Sequence, residues 1–261
     1  MNTGNDAAHG DWLESVLGRV QRPSRYIGGE WNQVVKDHRG VELTFALAFP
    51  DVYEIGMSHL GFRILYSLLN SREEIAAERA FCPGPDRADA LREGGRPLAS
   101  RESGPPLRRF DVVGFSLQYE MTFTNVLEML DLSGIPLRSA NRGEEEPLIL
   151  AGGPVVFNVE PLADFVDLVF VGDAEEMLPE FLERLRAMKR EGLPRAERIR
   201  EAARIEGVYA PALYATEREE RNGLLVPAPL GDAPFPVRRR MLADLDRFPV
   251  PDRIIVPHGE I

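Results

Sequence analysis

The feature that most constrains this chain is the alternation of short apolar runs with longer amphipathic segments between residues 41 and 191. Each run has the length and composition of a strand that is buried on both faces. Strands that alternate with helices favour a parallel sheet with right-handed crossovers. The predicted strands cover 41–49, 78–83, 110–117, 147–154 and 167–173, and the predicted helices cover 62–70, 86–93, 124–134, 160–166 and 174–191.

This order predicts an α/β fold, a Rossmann-like and flavodoxin-like doubly wound sheet of five parallel strands in the order 2-1-3-4-5. Residues 1–40 form an N-terminal part, with an amphipathic helix over 11–20 and a turn-rich connector, and residues 41–192 form the Rossmann-like domain. Residues 193–261 are rich in proline and form an irregular extension that leads toward a further domain. One more helix, a short strand and a β-hairpin around Gly223 are predicted within the extension.

Charge and cysteine content argue against several classes of protein. The net charge of −11 disfavours a dedicated nucleic-acid binder, which would normally present a basic face. The compact basic run from Arg238 to Arg240 favours a solvated turn or a partner contact. Cys82 is the single cysteine, so neither an intrachain disulfide nor a cysteine-based metal cluster can form. No apolar run approaches the ~20 residues of a membrane span, and we expect a cytoplasmic protein without nucleic-acid or membrane partners.

Polar residues and glycines gather where the predicted strands end. In a doubly wound sheet, ligands bind at the carboxyl ends of the strands, where strands one and three diverge. The glycine pair after strand four either admits a large flat or phosphate-bearing group or forms a tight turn, and the sequence leaves both interpretations open. The residues at this edge include Tyr53, Glu54, Ser58, His59, Ser116, Gln118, Gly152, Gly153, Pro154 and Gly172.

The acids and the histidine of this edge form no familiar catalytic or metal motif. His59 lacks a Ser-His or Cys-His partner, and its neighbour Ser58 is predicted to cap the following helix. Nucleophile-elbow, dinucleotide-binding and P-loop motifs are absent. Several acids could form a cation pocket, but stabilisation of helix N-termini is favoured because no histidine accompanies them at metal-ligand spacing. These acids are Glu54, Glu120, Glu160 and Glu175.

Four stretches carry a resemblance to a known family: LAFPDVYEIGMSHLGFRILYSLLN, FDVVGFSLQYEMTFTNVLEMLDLSGIP, LILAGGPVVFNVEPLADFVDLVFVGDAEEMLPEF and PDRIIVPHGEI. Together they resemble the N-terminal part of cobalamin-binding-type radical SAM proteins, in particular the subgroup with FPDxYEIGMSHLG after the first strand. The resemblance covers about residues 25 to 261. It implies a Rossmann-like cobalamin-binding domain that is followed by a radical SAM barrel.

The barrels of this family hold an iron–sulfur cluster and S-adenosylmethionine through a Cys-x-x-x-Cys-x-x-Cys motif, which these 261 residues lack. We therefore expect the sequence to stop just before the catalytic domain, and this chain alone to have no radical SAM activity. The resemblance implies two partners, a small-molecule cofactor and the barrel, the latter in cis or as a separate chain.

Cobalamin is the cofactor that the resemblance implies for this chain. Base-off cobalamin domains carry Asp-x-His-x-x-Gly, whereas Met57 stands two residues before His59 and Gly61 two residues after it. Because the carboxylate that would orient the ring is missing, no metal ligand is assigned, and His59 on cobalt is the less favoured option. Leu117 departs slightly from the family's Ser-x-Leu. The residues carried over as cofactor-binding are Tyr53, Glu54, Ser58, His59, Ser116, Leu117, Gln118, Gly152, Gly153, Pro154 and Gly172.

Two other functions stay open. A non-catalytic scaffold that has lost cobalamin is consistent with the missing motif, and a crevice filled by side chains from residues 50–61 would favour it. A flavodoxin-like flavin or nucleotide binder would share the fold, but the loop after strand one lacks the expected phosphate cradle. The fold alone does not decide among these functions.

Overall fold

The predicted alternation builds a six-stranded sheet in the computed structural model, which describes residues 15–221, 223–248 and 251–256. Its strands are β1 (Leu43–Phe49), β2 (Ile75–Phe81), β3 (Val112–Ser116), β4 (Leu148–Gly152), β5 (Leu168–Phe170) and β6 (Val208–Tyr209). The order β2-β1-β3-β4-β5 of parallel strands confirms the prediction. The sheet has six strands rather than the predicted five, because the short strand predicted within the extension is β6, which pairs antiparallel with β5.

The helices beside the strands are α1 (Tyr53–Ser58), α2 (Leu60–Asn70), α3 (Pro85–Glu93), α4 (Phe123–Leu132), α5 (Ala174–Arg190) and α6 (Arg195–Ala202). The helix predicted over 160–166 is wrong: a 3₁₀ turn at Glu160–Leu162 stands there, because the chain must enter β5 six residues later. Of the helix predicted over 11–20, residues 11–14 lie outside the described residues, and residues 15–17 are helical. None of the helices in the described ranges has the length and apolarity that crossing a membrane requires.

The strands separate two apolar cores, since successive side chains of a strand point to opposite faces. On the first face, Phe45 and Leu47 of β1 pack in one core with α2, α5 and α6. On the second face, Ala46 and Ala48 pack with α3 and α4. Because α2 follows β1 and α5 follows β5, the middle strands β3 and β4 lie between these two helices on the first face. A groove runs between the helices there.

A buried ion network fixes the N-terminal connector to the outer strand β2. The Arg79 guanidinium contacts Glu30 at 2.8 Å and Glu102 at 2.5 Å, and all three side chains are fully buried. Burial alone would raise the pKa of Glu30, but the hydrogen bonds and charges of Arg79 and Arg101 lower it to about 2. The network therefore keeps Glu30 ionised in the folded protein.

The C-terminal extension returns to the sheet. The predicted hairpin around Gly223 is confirmed as β7 (Tyr214–Arg218), paired antiparallel with β8 (Leu225–Pro229). Residues 239–242, which we call the strap, then run beside the carboxyl end of β5. The Arg240 amide donates to the Val171 carbonyl at 3.0 Å, and the Arg240 carbonyl accepts from the Asp173 amide at 3.0 Å.

Candidate ligand-binding crevice

A crevice of about 530 Å³ opens at the carboxyl ends of β1, β3, β4 and β5. After β1 the chain enters helices on the first face, whereas after β3 it enters α4 on the second face. The connections after β1 and after β3 diverge to opposite faces of the sheet, and doubly wound parallel sheets leave a gap between such connections. The strand order thus confirms the predicted switch point, and the crevice lies beside it.

The inner part of the crevice is apolar and continues into the groove between α2 and α5. Gly114 lies in the middle of β3, where an added Cβ would come within 2.5 Å of the Phe45 ring. The ring can therefore rest against the β3 backbone only because position 114 has no side chain. The apolar side chains that line this part are Phe45, Leu47, Phe62, Leu65, Leu150, Phe170 and Leu178.

On the side of β3 and β4, the outer part of the crevice carries neutral hydrogen-bonding groups. Ser116 Oγ accepts a hydrogen bond from Gln118 Nε2 at 3.1 Å. Gly153 has a φ of +119°, and an added Cβ would lie 2.2 Å from the Leu117 carbonyl oxygen. The turn after β4 therefore requires glycine at 153, as the tight-turn interpretation expects. The Leu117 amide donates to the Gly152 carbonyl at 2.7 Å, which holds the two loops together.

Two other glycines line the crevice although neither the backbone nor the packing requires them. Gly61 and Gly152 are not among the glycines with positive φ. An added Cβ would meet nothing within 4 Å at Gly61, and at Gly152 it would meet only the Phe170 Cβ, 3.7 Å away. The missing side chains leave open space in the crevice at both positions.

His59 forms part of the crevice wall between α1 and α2. Its ring lies against Phe49, with centroids 5.0 Å apart and planes tilted by 31°. Met57 is buried, and its Sδ atom lies 3.2 Å from Arg79 Nη1. Position 57, where the motif Asp-x-His-x-x-Gly has its carboxylate, therefore faces the core. In the part of the chain that the structure describes, no group of three or more His, Cys, Asp and Glu side chains could hold a metal ion.

Tyr53 and Glu54 lie away from the crevice and hold the N-terminal connector. Tyr53 is buried, and its hydroxyl donates to Glu30 Oε1 at 2.9 Å. Glu54 forms an ion pair with Arg25 at 2.8 Å. Both residues follow β1 in sequence, but α1 turns them toward β2 and the connector. Their assignment to cofactor binding stays a prediction.

Ser58 and Leu117 also lie outside the crevice lining, and their assignment likewise stays a prediction. The predicted cap is wrong, because Ser58 Oγ donates backwards to the Ile55 carbonyl at 2.7 Å and α2 begins after His59 without a side-chain cap. Leu117 is fully buried in the second core. The predicted residues that the structure does bring together in the crevice are His59, Ser116, Gln118, Gly152, Gly153, Pro154 and Gly172.

The acids near the helix starts are dispersed. Glu54 and Glu175 lie in the first turns of α1 and α5, and Glu120 and Glu160 lie in the first turns of two 3₁₀ helices. Glu160 accepts a hydrogen bond from the Tyr209 hydroxyl at 3.0 Å, whereas Glu54 faces the connector. This placement confirms the preferred interpretation that they lie at helix N-termini.

A hydrogen bond joins the loops that follow β1 and β3 on the other side of the switch point. The Tyr119 hydroxyl donates to the Asp51 carboxylate, which raises the pKa of Tyr119 to about 12. Asn125 Nδ2 donates to the Pro50 carbonyl at 2.9 Å. These contacts fix the two loops relative to each other.

The strap borders the crevice beside β5, which the sequence did not indicate. Gly172 has a φ of +130°, and an added Cβ would lie 2.0 Å from the Arg240 carbonyl oxygen. Arg239 lines the crevice, 3.4 Å from Asp173. Arg239 and Asp173 are 66 residues apart, so no local sequence pattern indicates their contact. From the sequence, the arginine run therefore favours only a solvated turn or a partner contact.

Comparison with known proteins gives one match. A family model described as the N-terminal region of radical SAM proteins matches residues 61–211, which is more than half of the chain. No curated protein and no solved structure matched. The matched region runs from α2 through β6 and so includes most of the crevice lining. The chain belongs to the family of radical SAM protein N-terminal regions.

Proposed function

We propose that this chain binds cobalamin at the carboxyl edge of its sheet and presents it to a radical SAM barrel. The observation that carries the proposal is the two-part crevice, which has an apolar groove inside and hydrogen-bonding groups outside, both neutral (Ser116 and Gln118) and charged (Asp173, Glu175 and Arg239). Cobalamin combines an amide-rimmed macrocycle with a nucleotide tail, so it needs both environments. When bound, cobalamin supplies a cobalt centre for methyl transfer or radical rearrangement.

The residues present fit such a ligand. Ser116 and Gln118 would hydrogen-bond to its amide or hydroxyl groups, and the space beside Gly61 and Gly152 would admit it. From residues 50–61, His59 and Gly61 line the crevice, which still keeps its volume of about 530 Å³. A cofactor-free scaffold would be expected to fill this space with side chains, so the open volume favours a binding domain.

We further propose that the iron–sulfur cluster and S-adenosylmethionine belong to the barrel, in the same polypeptide or in a separate chain. Cys82 is buried, and burial raises the pKa of its thiol to about 12, so it is unsuited to cluster ligation. Apolar side chains stand exposed on the segments that follow β1, β3 and β4: Leu60 is 46%, Met121 86% and Phe157 68% exposed. Exposed apolar residues are typical of interaction sites, and this edge is where the barrel would dock.

Gel filtration of the chain after mixing with cobalamin tests the proposal. We expect corrinoid absorbance to elute with the protein, and the visible spectrum of the bound fraction to differ from that of free cobalamin. Elution of all the cobalamin at the small-molecule position, with an unchanged spectrum, would refute the proposal. A parallel run with flavin mononucleotide tests the alternative ligand, and retention of the flavin alone would favour the flavodoxin-like function.

A further inference from the structure

We infer that Arg239 of the strap recognises a phosphate group on the ligand that the crevice holds. The inference rests on the proposed function, because the nucleotide tail of cobalamin contains a phosphodiester. The strap lies outside the region that the family model matches, which ends at residue 211.

The strap is held against the sheet by backbone geometry. Besides the two backbone hydrogen bonds of Arg240 with Val171 and Asp173, which follow β5, the Leu242 amide donates to Asp173 Oδ2 at 2.9 Å. Two glycines make the close approach feasible. An added Cβ would lie 2.0 Å from the Arg240 carbonyl oxygen at Gly172, and 3.0 Å from the Arg240 Cβ at Gly207. The position of the Arg239 backbone beside the crevice follows from these contacts.

The three consecutive arginines have different surroundings. The Arg240 guanidinium contacts Glu180 at 2.5 Å and Glu176 at 3.6 Å. Arg238 is exposed and does not line the crevice. Arg239 does line the crevice, and its side chain is 51% exposed. The middle arginine is thus the one of the three that lines the crevice, and its Nη2 atom lies near Asp173, which lines the crevice too.

Arg239 keeps hydrogen-bonding capacity for a ligand. Its contact with Asp173 is 3.4 Å long, beyond the usual range for a strong N–H···O bond, and the other Asp173 oxygen accepts from the strap backbone. A guanidinium has five donors in a planar fork that matches phosphate oxygens. Among the described residues, Arg239 is the one arginine in the crevice lining.

The acids beside Arg239 favour a phosphate group that carries a single negative charge. Asp173 and Glu175 also line the crevice on the α5 side and would repel a doubly charged group. A phosphodiester carries a single negative charge and presents two free oxygens to the guanidinium fork. We therefore assign Arg239 to a phosphodiester within a larger ligand rather than to free inorganic phosphate.

Titration with two corrinoids tests the inference. Cobalamin contains the phosphodiester and terminal base, whereas cobinamide lacks both. We expect Arg239→Gln to weaken cobalamin binding roughly three- to tenfold and to leave cobinamide binding unchanged. Arg238→Gln is the matched control, since it removes the same charge from the neighbouring position, and it should affect neither ligand. Equal melting temperatures would confirm that all three chains are folded alike.

Each other outcome has a distinct meaning. If the wild-type chain binds both corrinoids, but Arg239→Gln weakens both equally or neither, the phosphate assignment is overturned and the proposed function stands. If Arg238→Gln has the same effect as Arg239→Gln, the effect is one of net charge and the assignment to Arg239 is also overturned. If neither corrinoid binds to the wild-type chain, the proposed function and this inference fail together.

Discussion

Gly152 and Gly153 show how neighbouring residues of the crevice take different roles. Gly153 has a positive φ and no room for a Cβ, whereas Gly152 has neither constraint. The first residue of the pair therefore leaves space for a ligand, and the second forms the turn. The dipeptide alone could not separate these roles, because they depend on the Leu117 carbonyl, which the fold brings from another strand connection.

The two glycines should respond differently to alanine. We expect Gly153→Ala to lower the free energy of unfolding by about 2 kcal/mol or more, because it combines an unfavourable φ with a backbone clash. Gly152→Ala should change it by no more than about 0.5 kcal/mol. Urea denaturation of both variants measures the difference. Equal losses of stability would show that the turn geometry is not as described.

His59 should prove to be a wall residue. In the cobalamin-bound chain, we expect His59→Ala to leave the visible and electron paramagnetic resonance spectra unchanged, because the buried Met57 stands where the cobalt-ligand motif has the carboxylate that orients the ring. Loss of its contact with Phe49 should cost about 1 kcal/mol of stability. Disappearance of a nitrogen-ligated cobalt signature in the variant would instead identify His59 as the ligand.

Among the elements, the connector and the strap depend on contacts between residues far apart in sequence. Glu30 belongs to the connector and Arg79 to β2, and 49 residues separate them. The pKa of Glu30 is lowered from 4.5 to about 2, so its carboxylate stabilises the folded state above pH 4.5, and this stabilisation is lost as the pH falls through about 2. The shift corresponds to roughly 3 kcal/mol.

The acid stability of the chain should therefore depend on Glu30. We expect Glu30→Gln to be less stable than wild type at pH 7, and to lose less stability than wild type between pH 4.5 and pH 2.5. Unfolding free energies from urea titrations across this range give the comparison. Glu145→Gln, at an exposed position, serves as control and should follow the wild-type curve. An identical pH dependence for Glu30→Gln would contradict the assigned pKa.

The strap should detach when Gly172 gains a side chain. We expect Gly172→Ala to increase hydrogen exchange at the amides of Arg240 and Asp173, because the added Cβ cannot coexist with the Arg240 carbonyl. Exchange measured by mass spectrometry should rise in the strap and around residue 173, while β1 and β3 stay protected. Gly40→Ala is the control, since an added Cβ there meets nothing within 4 Å. Unchanged protection of the strap would refute its docking to β5.

The elements that the sequence predicted best are those with long apolar patterns. β1, β3, β4 and β5 lie in unbroken apolar runs that are buried on both faces, and α2, α4 and α5 each bury one face at helical spacing, so the apolar run or the helical period indicates them. The short strand β6 was predicted but its pairing with β5 was not, because two residues carry no pattern that selects a partner strand. The 3₁₀ turn at Glu160–Leu162 has too few residues to be distinguished from a helix start. The strand ends that line the crevice could be located from the sequence. Arg239 could not be assigned to the crevice, because it comes near β5 only when the strap has folded against the sheet.

For the whole molecule, the chain belongs to the family of radical SAM protein N-terminal regions, and most of the crevice lining falls within the matched residues 61–211. The sheet edge with the crevice also carries exposed Leu60, Met121 and Phe157, so ligand and barrel would meet on one side of the chain. A domain that holds a cofactor for a neighbouring barrel requires this arrangement. We propose that cobalamin binds in this open crevice.

Equilibrium dialysis of cobalamin against the wild-type chain and Gly152→Leu tests that claim most directly. An added Cβ at position 152 would meet only the Phe170 Cβ, 3.7 Å away, so we expect a leucine side chain to extend into the crevice. We expect the wild-type chain to retain cobalamin in an equimolar ratio, and Gly152→Leu to bind it roughly tenfold more weakly or worse at an unchanged melting temperature. Retention no greater than in a protein-free blank would show that the chain does not bind cobalamin. Equal affinity of the two chains would show that cobalamin does not bind in the crevice.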